Sequence, residues 1–93
     1  METRKIEKKT RRIISKISNI DESMITRETS VMDLLNDNLN QIEVSVMLEN
    51  EFNIIFEEKH TTDIFQSDFE MLCMKIMKLM TQRRNKHIAF FIT

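Results

Sequence analysis

Residues 37–51 read DNLNQIEVSVMLENE, and this stretch decides the fold class. Asp37 places a carboxylate where it can accept a hydrogen bond from a free backbone N–H at a helix start. Apolar residues then recur at helical spacing, at Leu39, Ile42, Val46 and Met47. The pattern predicts a helix from about Asn38 to Glu51.

Two further amphipathic stretches flank this helix. The isoleucines at 6, 13, 14 and 17 predict a first helix from about Arg4 to Ser18, with Lys and Arg on its other positions. Ser67 to Glu70 fits a capping box, and the apolar stripe that follows predicts a last helix from about Asp68 to Arg83. The sequence therefore predicts one long helix before residues 38–51 and one after them.

The connections are rich in side chains that compete with helical hydrogen bonds. Residues 18–30 predict a long ordered loop, pinned by apolar side chains at Ile20, Ile25, Val31 and Leu34. Residues 53–56 predict a loop that plugs the core, followed by a short helix near Glu57–Thr62. The expected architecture is a four-helix bundle with a long first loop and a short third helix.

Composition agrees with an all-α class. The 93 residues include no Gly and no Pro, which argues against tight hairpins and Gly-rich phosphate loops. This length suits one domain, which we place at residues 1–83. Residues 84–93 are a basic and apolar C-terminal tail that could extend the last helix, pack back or dock a partner.

Charge is strongly segregated along the chain. Residues 1–16 carry seven Lys/Arg and two Glu, a formal +5, and residues 74–93 carry five bases and no acid. Residues 17–73 carry thirteen acids against two bases, a formal −11. The protein could pair its own charges or present an acidic face to a basic partner, so the middle of the chain is where recognition is expected.

Residues 33–43, DLLNDNLNQIE, and 48–54, LENEFNI, resemble the signature of the acyl carrier protein family. That signature reads D-L-G-x-D-S-L, then E, then L-E-x-E-F-x-I, and it aligns here without gaps. The order and length of the other segments extend the resemblance over roughly residues 4–80. Two positions depart from it: the glycine is Leu35 and the serine is Asn38.

In that family the serine hydroxyl attacks the pyrophosphate of coenzyme A and anchors a 4′-phosphopantetheine arm. The Asn38 amide has no acidic O–H, so we expect no covalent cofactor. Ser45 and Ser30 do not stand in the Asp-Ser-Leu sequence that the enzyme attaching this arm recognises, so neither is expected to carry the arm in place of residue 38. The resemblance thus implies a non-carrying adaptor or regulator, and the family branch linked to bacterial type III secretion is the nearest analogy. The alternative is a carrier in fatty-acid or acyl-transfer metabolism whose natural residue 38 is serine, or one that binds an acyl chain non-covalently.

Family members dock through the acidic second helix on basic patches of their partners. The resemblance implies a protein partner and contact residues at Asp33, Asp37, Leu39, Glu43, Met47 and Glu49. Asn40 and Gln41 are neutral where many carriers are acidic, which favours a specialised partner. The same acids could instead simply solvate a helix face.

Other functions find less support. The basic first helix invites a nucleic-acid reading, but the acidic middle would repel phosphate and aromatic residues are few. His60, His87 and Cys73 do not form a zinc-ligand pattern, and no nucleophile–base pair suggests an enzyme. No apolar run approaches the roughly 20 residues of a membrane span, and no signal-type stretch is present. We expect a cytoplasmic, bacterial protein without bound metal.

Overall fold

The computed structural model describes the backbone of residues 3–92 and the side chains of residues 3–82. This part of the chain is all-helical, with one isolated bridge between Ser30 and Asp68 and no strand. A single 3₁₀ turn covers Glu22–Met24, and the α-helices are α1 Thr3–Ser18, α2 Val31–Leu34, α3 Asn38–Phe52, α4 Thr61–Ile64 and α5 Phe69–Ile92. The expected all-α class is confirmed.

The first helix, α1, packs against both α3 and α5. Its buried side chains fall on one stripe at 3.6-residue spacing, formed by Ile6, Thr10, Ile13 and Ile14. The predicted apolar stripe of the first helix is therefore largely the one that enters the core. Its Lys and Arg residues occupy the remaining positions, most of them exposed.

The second long helix, α3, begins and ends on side-chain and backbone caps. The Asp37 carboxylate accepts a hydrogen bond from Leu39 N at 3.0 Å, as the sequence predicted. Asn53 ends the helix at φ 54°, ψ 50°, a left-handed conformation that Asn tolerates better than most non-glycine residues. A chain without glycine can thus still close this helix.

The core side of α3 is not the apolar stripe that predicted the helix. Leu39, Ile42 and Val46 are exposed. The buried positions are Gln41, Val44, Ser45, Leu48 and Phe52. Because the helix carries apolar residues on two faces, helical spacing alone does not tell which face enters the core.

The connection from α1 to α3 is more structured than predicted. Ile25 and Val31 are buried, as expected of residues that pin the loop. The segment also contains the 3₁₀ turn and α2, which the sequence pattern did not indicate. Its far end is fixed to the start of α5, because Phe69 N donates to Thr29 O at 2.8 Å and Glu70 N donates to Arg27 O at 3.0 Å.

The start of α5 corrects the predicted capping box. The cap is Asp68, whose Oδ1 accepts from Met71 N at 2.9 Å, whereas the predicted box placed this role on Ser67. In the predicted box the Glu70 N–H would donate to the Ser67 side chain, but it donates to Arg27 O at 3.0 Å. The backbone of α5 then continues to Ile92, beyond the predicted end at Arg83. The side chains of the expected tail, residues 84–93, lie outside the described residues.

The short helix lies later in the chain than predicted, at Thr61–Ile64 and not near Glu57–Thr62. The preceding segment is held in a non-helical conformation because the Glu49 carboxylate accepts from Phe56 N at 2.9 Å. Glu58 is also tied to α5 by an ion pair with Lys75. Ile54 and Phe56 are buried in the core, so residues 53–56 plug it as expected.

Candidate functional site

Asn38 is the first residue of α3 and is exposed. Its neighbour Asp37 is occupied as the helix cap, so the carboxylate faces Leu39 N. The Asn38 Oδ1 atom lies 3.4 Å from Thr61 Oγ1, at the long limit of a hydrogen bond. An exposed amide in this position can make polar contacts, but it offers no nucleophile.

Gln41 is a structural residue that the sequence pattern missed. It is only 3% exposed, and its Nε2 donates to the Leu35 carbonyl at 2.7 Å. Its Oε1 accepts from Thr62 Oγ1 at 3.0 Å and lies 3.3 Å from Thr61 Oγ1. The Gln41 amide joins the turn before α3 to α4, so this neutral side chain is part of the fold and is not exposed to a partner.

Position 35, where the quoted signature has glycine, accepts leucine without strain. Leu35 has φ −119° and ψ 58°, so its backbone does not occupy the left-handed region that favours glycine. Its side chain is fully buried in the hydrophobic core. The substitution thus adds core volume to the short turn between α2 and α3.

The outward side of α3 presents an apolar surface with a carboxylate on it. We name as the α3 outer face the residues Leu39, Ile42, Glu43 and Val46, which follow one another at helical spacing. Leu39 is 74% exposed, Val46 47% and Ile42 43%. Among the described side chains, Glu43 makes no ion pair. Exposed apolar residues grouped on one helix face are typical of an interaction surface.

The expected contact residues divide into two groups. Asp33, Asp37, Leu39 and Glu43 are exposed around the start of α3. Met47 is half-buried and packs against the core, and the Glu49 carboxylate is engaged by Phe56 N. The structure therefore brings four of the six residues to one exposed region and uses Glu49 to hold the fold.

Part of the segregated charge is neutralised inside the protein. Lys9 of α1 lies 3.8 Å from Glu51 of α3, and Arg27 lies 3.3 Å from Glu7. Lys75 pairs with Glu58. The Lys9–Glu51 and Lys75–Glu58 pairs join a base of a basic end to an acid of the middle, whereas the Arg27–Glu7 pair uses the minority charge of each segment. Asp33, Asp37 and Glu43 are outside every ion pair among the described side chains.

The residues considered for a zinc site do not group among the described side chains, and the side chain of His87 lies outside them. Cys73 is buried in the core, and burial raises the pKa of its thiol to about 12, an effect that the neighbouring Thr10 hydroxyl offsets only in part. In the part of the chain that the structure describes, no three His, Cys, Asp or Glu side chains group as metal ligands. None of the helices searched there is both long and apolar enough to cross a membrane.

The fold and the exposed region at the start of α3 were compared with known proteins at three levels. No protein-family model matches the chain, no curated protein matches it, and no solved structure matches it. What the protein does is therefore inferred from its own residues and their geometry.

Proposed function

We propose that this protein is an acyl-carrier-like interaction domain that carries no phosphopantetheine arm and acts as an adaptor or regulator. The observation that supports it most is the exposed Asn38 at the first position of α3, directly after the Asp37 cap. The carrier family has its attachment serine at this point of the same motif. Asparagine keeps the polar, exposed position and removes the hydroxyl.

The chemistry of attachment explains why asparagine is not a substitute. Formation of the phosphodiester requires an oxygen nucleophile that loses its proton as it attacks phosphorus. The amide nitrogen of Asn38 has a delocalised lone pair, and the amide has no O–H. Ser45 offers no replacement, because it is buried and its hydroxyl donates to Ile42 O at 2.8 Å.

The order and length of the helices support the finer fold proposal, an acyl-carrier-like bundle of four main helices. Three long helices, α1, α3 and α5, are joined by a long first connection and by the short α4. Contacts of α1 with α3 and α5, and of α3 with α4, hold them together. The one-turn helix α2 is part of the long connection.

Docking is proposed to use the α3 outer face with Asp33 and Asp37 beside it. The exposed apolar side chains would supply the buried centre of an interface, and the acids would form its rim. The complementary partner is a protein with an apolar groove bordered by Lys or Arg. Because Glu43 has no ion pair among the described side chains, it is the acid best placed to meet such a base.

A cytoplasmic location in a bacterium, and an association with type III secretion, belong to the same proposal. They rest on the resemblance of residues 33–43 and 48–54 to the carrier family and on the divergence at positions 35 and 38. A dedicated partner fits this divergence better than a general fatty-acid enzyme, which would recognise the acyl arm as well as the helix.

The proposal is tested by expressing the chain together with a broad-specificity phosphopantetheinyl transferase and weighing the intact protein. The expected mass is that of the unmodified chain, while a genuine carrier protein expressed in parallel gains the arm. A phosphopantetheine increment on this chain would exclude the non-carrying function. Peptide mapping would then show which hydroxyl had been used.

A further inference from the structure

The exposed residues of α1 are almost all basic. Apart from Thr3 at its start, every exposed residue of this helix is a lysine or an arginine. We name as the α1 basic face these residues, which are Arg4, Lys5, Lys8, Arg12 and Lys16. Four of them are spaced by four residues, so they follow one another along the side of the helix that points away from the core.

The two other bases of α1 hold the fold together. Lys9 lies 3.8 Å from Glu51 of α3. The Arg11 Nε atom donates to the Ile25 carbonyl at 2.8 Å, and its guanidinium lies over the Phe69 ring, 4.9 Å from the centroid. In contrast, no residue of the α1 basic face takes part in an ion pair among the described side chains. Its charges therefore serve no internal contact of this kind.

The α1 basic face is an unfavourable arrangement for the helix itself. Arg4, Lys8, Arg12 and Lys16 form three successive pairs of like charge one turn apart, and each such pair destabilises a helix. The first turn of α1 contains no acid, although the helix dipole favours one there. Alternating charges would solvate the same face and would stabilise the helix. The pattern therefore indicates a role for the positive charge.

The acids that pack close to α1 do not cancel this charge. Glu7, the one acid of α1, pairs with Arg27 at 3.3 Å, and Glu51 pairs with Lys9. The α3 outer face lies opposite the buried positions of α3, on the side away from the core that α1 and α3 share. The structure thus separates the α1 basic face from the acidic region that was expected to repel phosphate.

The end of α1 is the part of this face where acids lie nearest in the chain. Asp21 and Glu22 are exposed and follow Lys16 by a few residues. The Asp21 carboxylate caps the 3₁₀ turn, where it accepts from Ser23 N at 2.9 Å. Positive charge is therefore least opposed at the other bases of the face, and Lys8 lies in the middle of them.

We propose that the α1 basic face binds the phosphate backbone of a double-stranded nucleic acid. The rise of the helix from Arg4 to Lys16 is about 18 Å. One strand of a duplex places about five phosphates along that length, because they are roughly 3.4 Å apart along the axis. The number of bases on the face therefore matches the number of phosphates that lie beside it.

The lack of exposed apolar residues on α1 favours this partner over other acidic surfaces. A protein interface has an apolar centre, and a helix that lies on a bilayer puts its apolar face into the headgroup region. The apolar stripe of α1 is instead buried in the core. Phosphate contacts need neither, since their affinity comes from the release of counterions. No aromatic residue occurs in α1 to stack on bases, so binding is independent of sequence and prefers a duplex.

The test is fluorescence anisotropy of the full chain with a labelled mixed-sequence DNA duplex, and with the RNA duplex of the same sequence, over a series of NaCl concentrations. We expect binding to both, with the logarithm of the binding constant falling against that of salt with a slope of about −4.5 for five contacts. Lys8→Gln should reduce this slope by about 0.9 and weaken binding about fivefold or more. Lys59→Gln removes an exposed lysine outside α1 and is the matched control, which should change binding less than about twofold.

Lys8→Glu separates a binding role from a structural one. It turns the like-charge pairs with Arg4 and Arg12 into attractive pairs, so it should raise the urea midpoint of unfolding. The same variant should bind the duplex more weakly than Lys8→Gln does. A lowered midpoint would make Lys8 a residue of the fold and would overturn the proposal.

Three results of the binding measurements would also overturn it. They are equal losses in Lys8→Gln and Lys59→Gln, duplex binding that does not depend on salt, and binding to phosphatidylglycerol vesicles in the absence of duplex binding. Circular dichroism identifies any variant that has lost its helices. Nucleic-acid binding goes beyond the proposed function and uses neither Asn38 nor the α3 outer face, so its failure would leave the phosphopantetheine test unaffected.

Discussion

The side-chain amide of Gln41 donates a hydrogen bond to the main-chain carbonyl of Leu35 at 2.7 Å, and both residues are buried. The same side chain accepts a hydrogen bond from Thr62. One amide thus fixes the turn before α3 and holds α4 against that helix. Since Asn38 lies between Leu35 and Gln41 in the chain, these bonds of Gln41 hold the start of α3 in place.

Gln41→Ala should lower the free energy of unfolding by about 1–3 kcal/mol, because the buried Leu35 carbonyl would lose its described side-chain donor. Asn40→Ala is the control on the neighbouring, less buried position and should change it by no more than about 0.5 kcal/mol. Urea unfolding followed by circular dichroism measures both values. Equal small effects would show that the Gln41 amide does not stabilise the turn.

The helices were predictable from the sequence where one face alone is apolar. The stripe of α1 and the cap at Asp37 indicated real features, because a single strong pattern or a single carboxylate decides each. α3 was placed correctly along the chain, but the spacing did not identify its buried face, since Gln41 and Ser45 enter the core while Leu39 faces outward. The Gln41 side chain is polar, and its hydrogen bonds are made to Leu35 and Thr62, outside its own helix. The spacing of apolar residues in the sequence therefore gives no sign that Gln41 is buried.

The lengths of the short elements depended on contacts between distant residues. Glu49 accepts a hydrogen bond from the N–H of Phe56, 7 residues away, and Lys75 pairs with Glu58, 17 residues away. These two contacts hold the segment before α4. The expected α5 cap at Ser67 fell one residue early, since the helix begins at Phe69 and the Asp68 carboxylate accepts from Met71 N. Of the candidate contact residues, Asp33, Asp37, Leu39 and Glu43 are exposed, and their contact with a partner stays a prediction. Glu49 holds Phe56 N, a role that the sequence could not separate from theirs.

Substitution of Glu43 and of Glu49 should have different effects on the free energy of unfolding. Glu43→Lys reverses an exposed charge on the α3 outer face, so it should leave stability within about 0.5 kcal/mol of the parent. Glu49→Lys removes the acceptor of Phe56 N and should cost about 1–3 kcal/mol. Urea unfolding of the two variants makes the comparison. If both lost the same stability, the division of these acids between docking and folding would be wrong.

Partner capture gives the functional half of that comparison. Glu43→Lys should weaken capture of a protein partner about tenfold or more, because it places a cation against the proposed basic patch. Glu28→Lys, an exposed charge reversal in the first connection, is the control and should bind as the parent does. Affinity measurements by calorimetry on the captured partner check this. Unchanged binding by Glu43→Lys would remove the α3 outer face from the docking proposal.

Cys73 should make the protein less stable in alkaline solution. Its folded pKa of about 12 exceeds the ordinary value of 9.0, so the folded state keeps a proton that the unfolded state releases. Above pH 9 the unfolded state is therefore favoured, by up to about 1.4 kcal/mol for each pH unit. Urea unfolding under reducing conditions should show this slope in the parent and a shallower slope in Cys73→Ala. Parallel slopes would contradict the buried, neutral thiol.

The central claim is that this chain presents a carrier-like surface, and that the hydroxyl missing at position 38 is what prevents attachment of the arm. The most direct test is the intact mass of Asn38→Ser after co-expression with a phosphopantetheinyl transferase, beside Asn38→Ala and the parent. The claim predicts a phosphopantetheine increment on Asn38→Ser alone. An unmodified, folded Asn38→Ser would contradict it, and so would an increment on the parent.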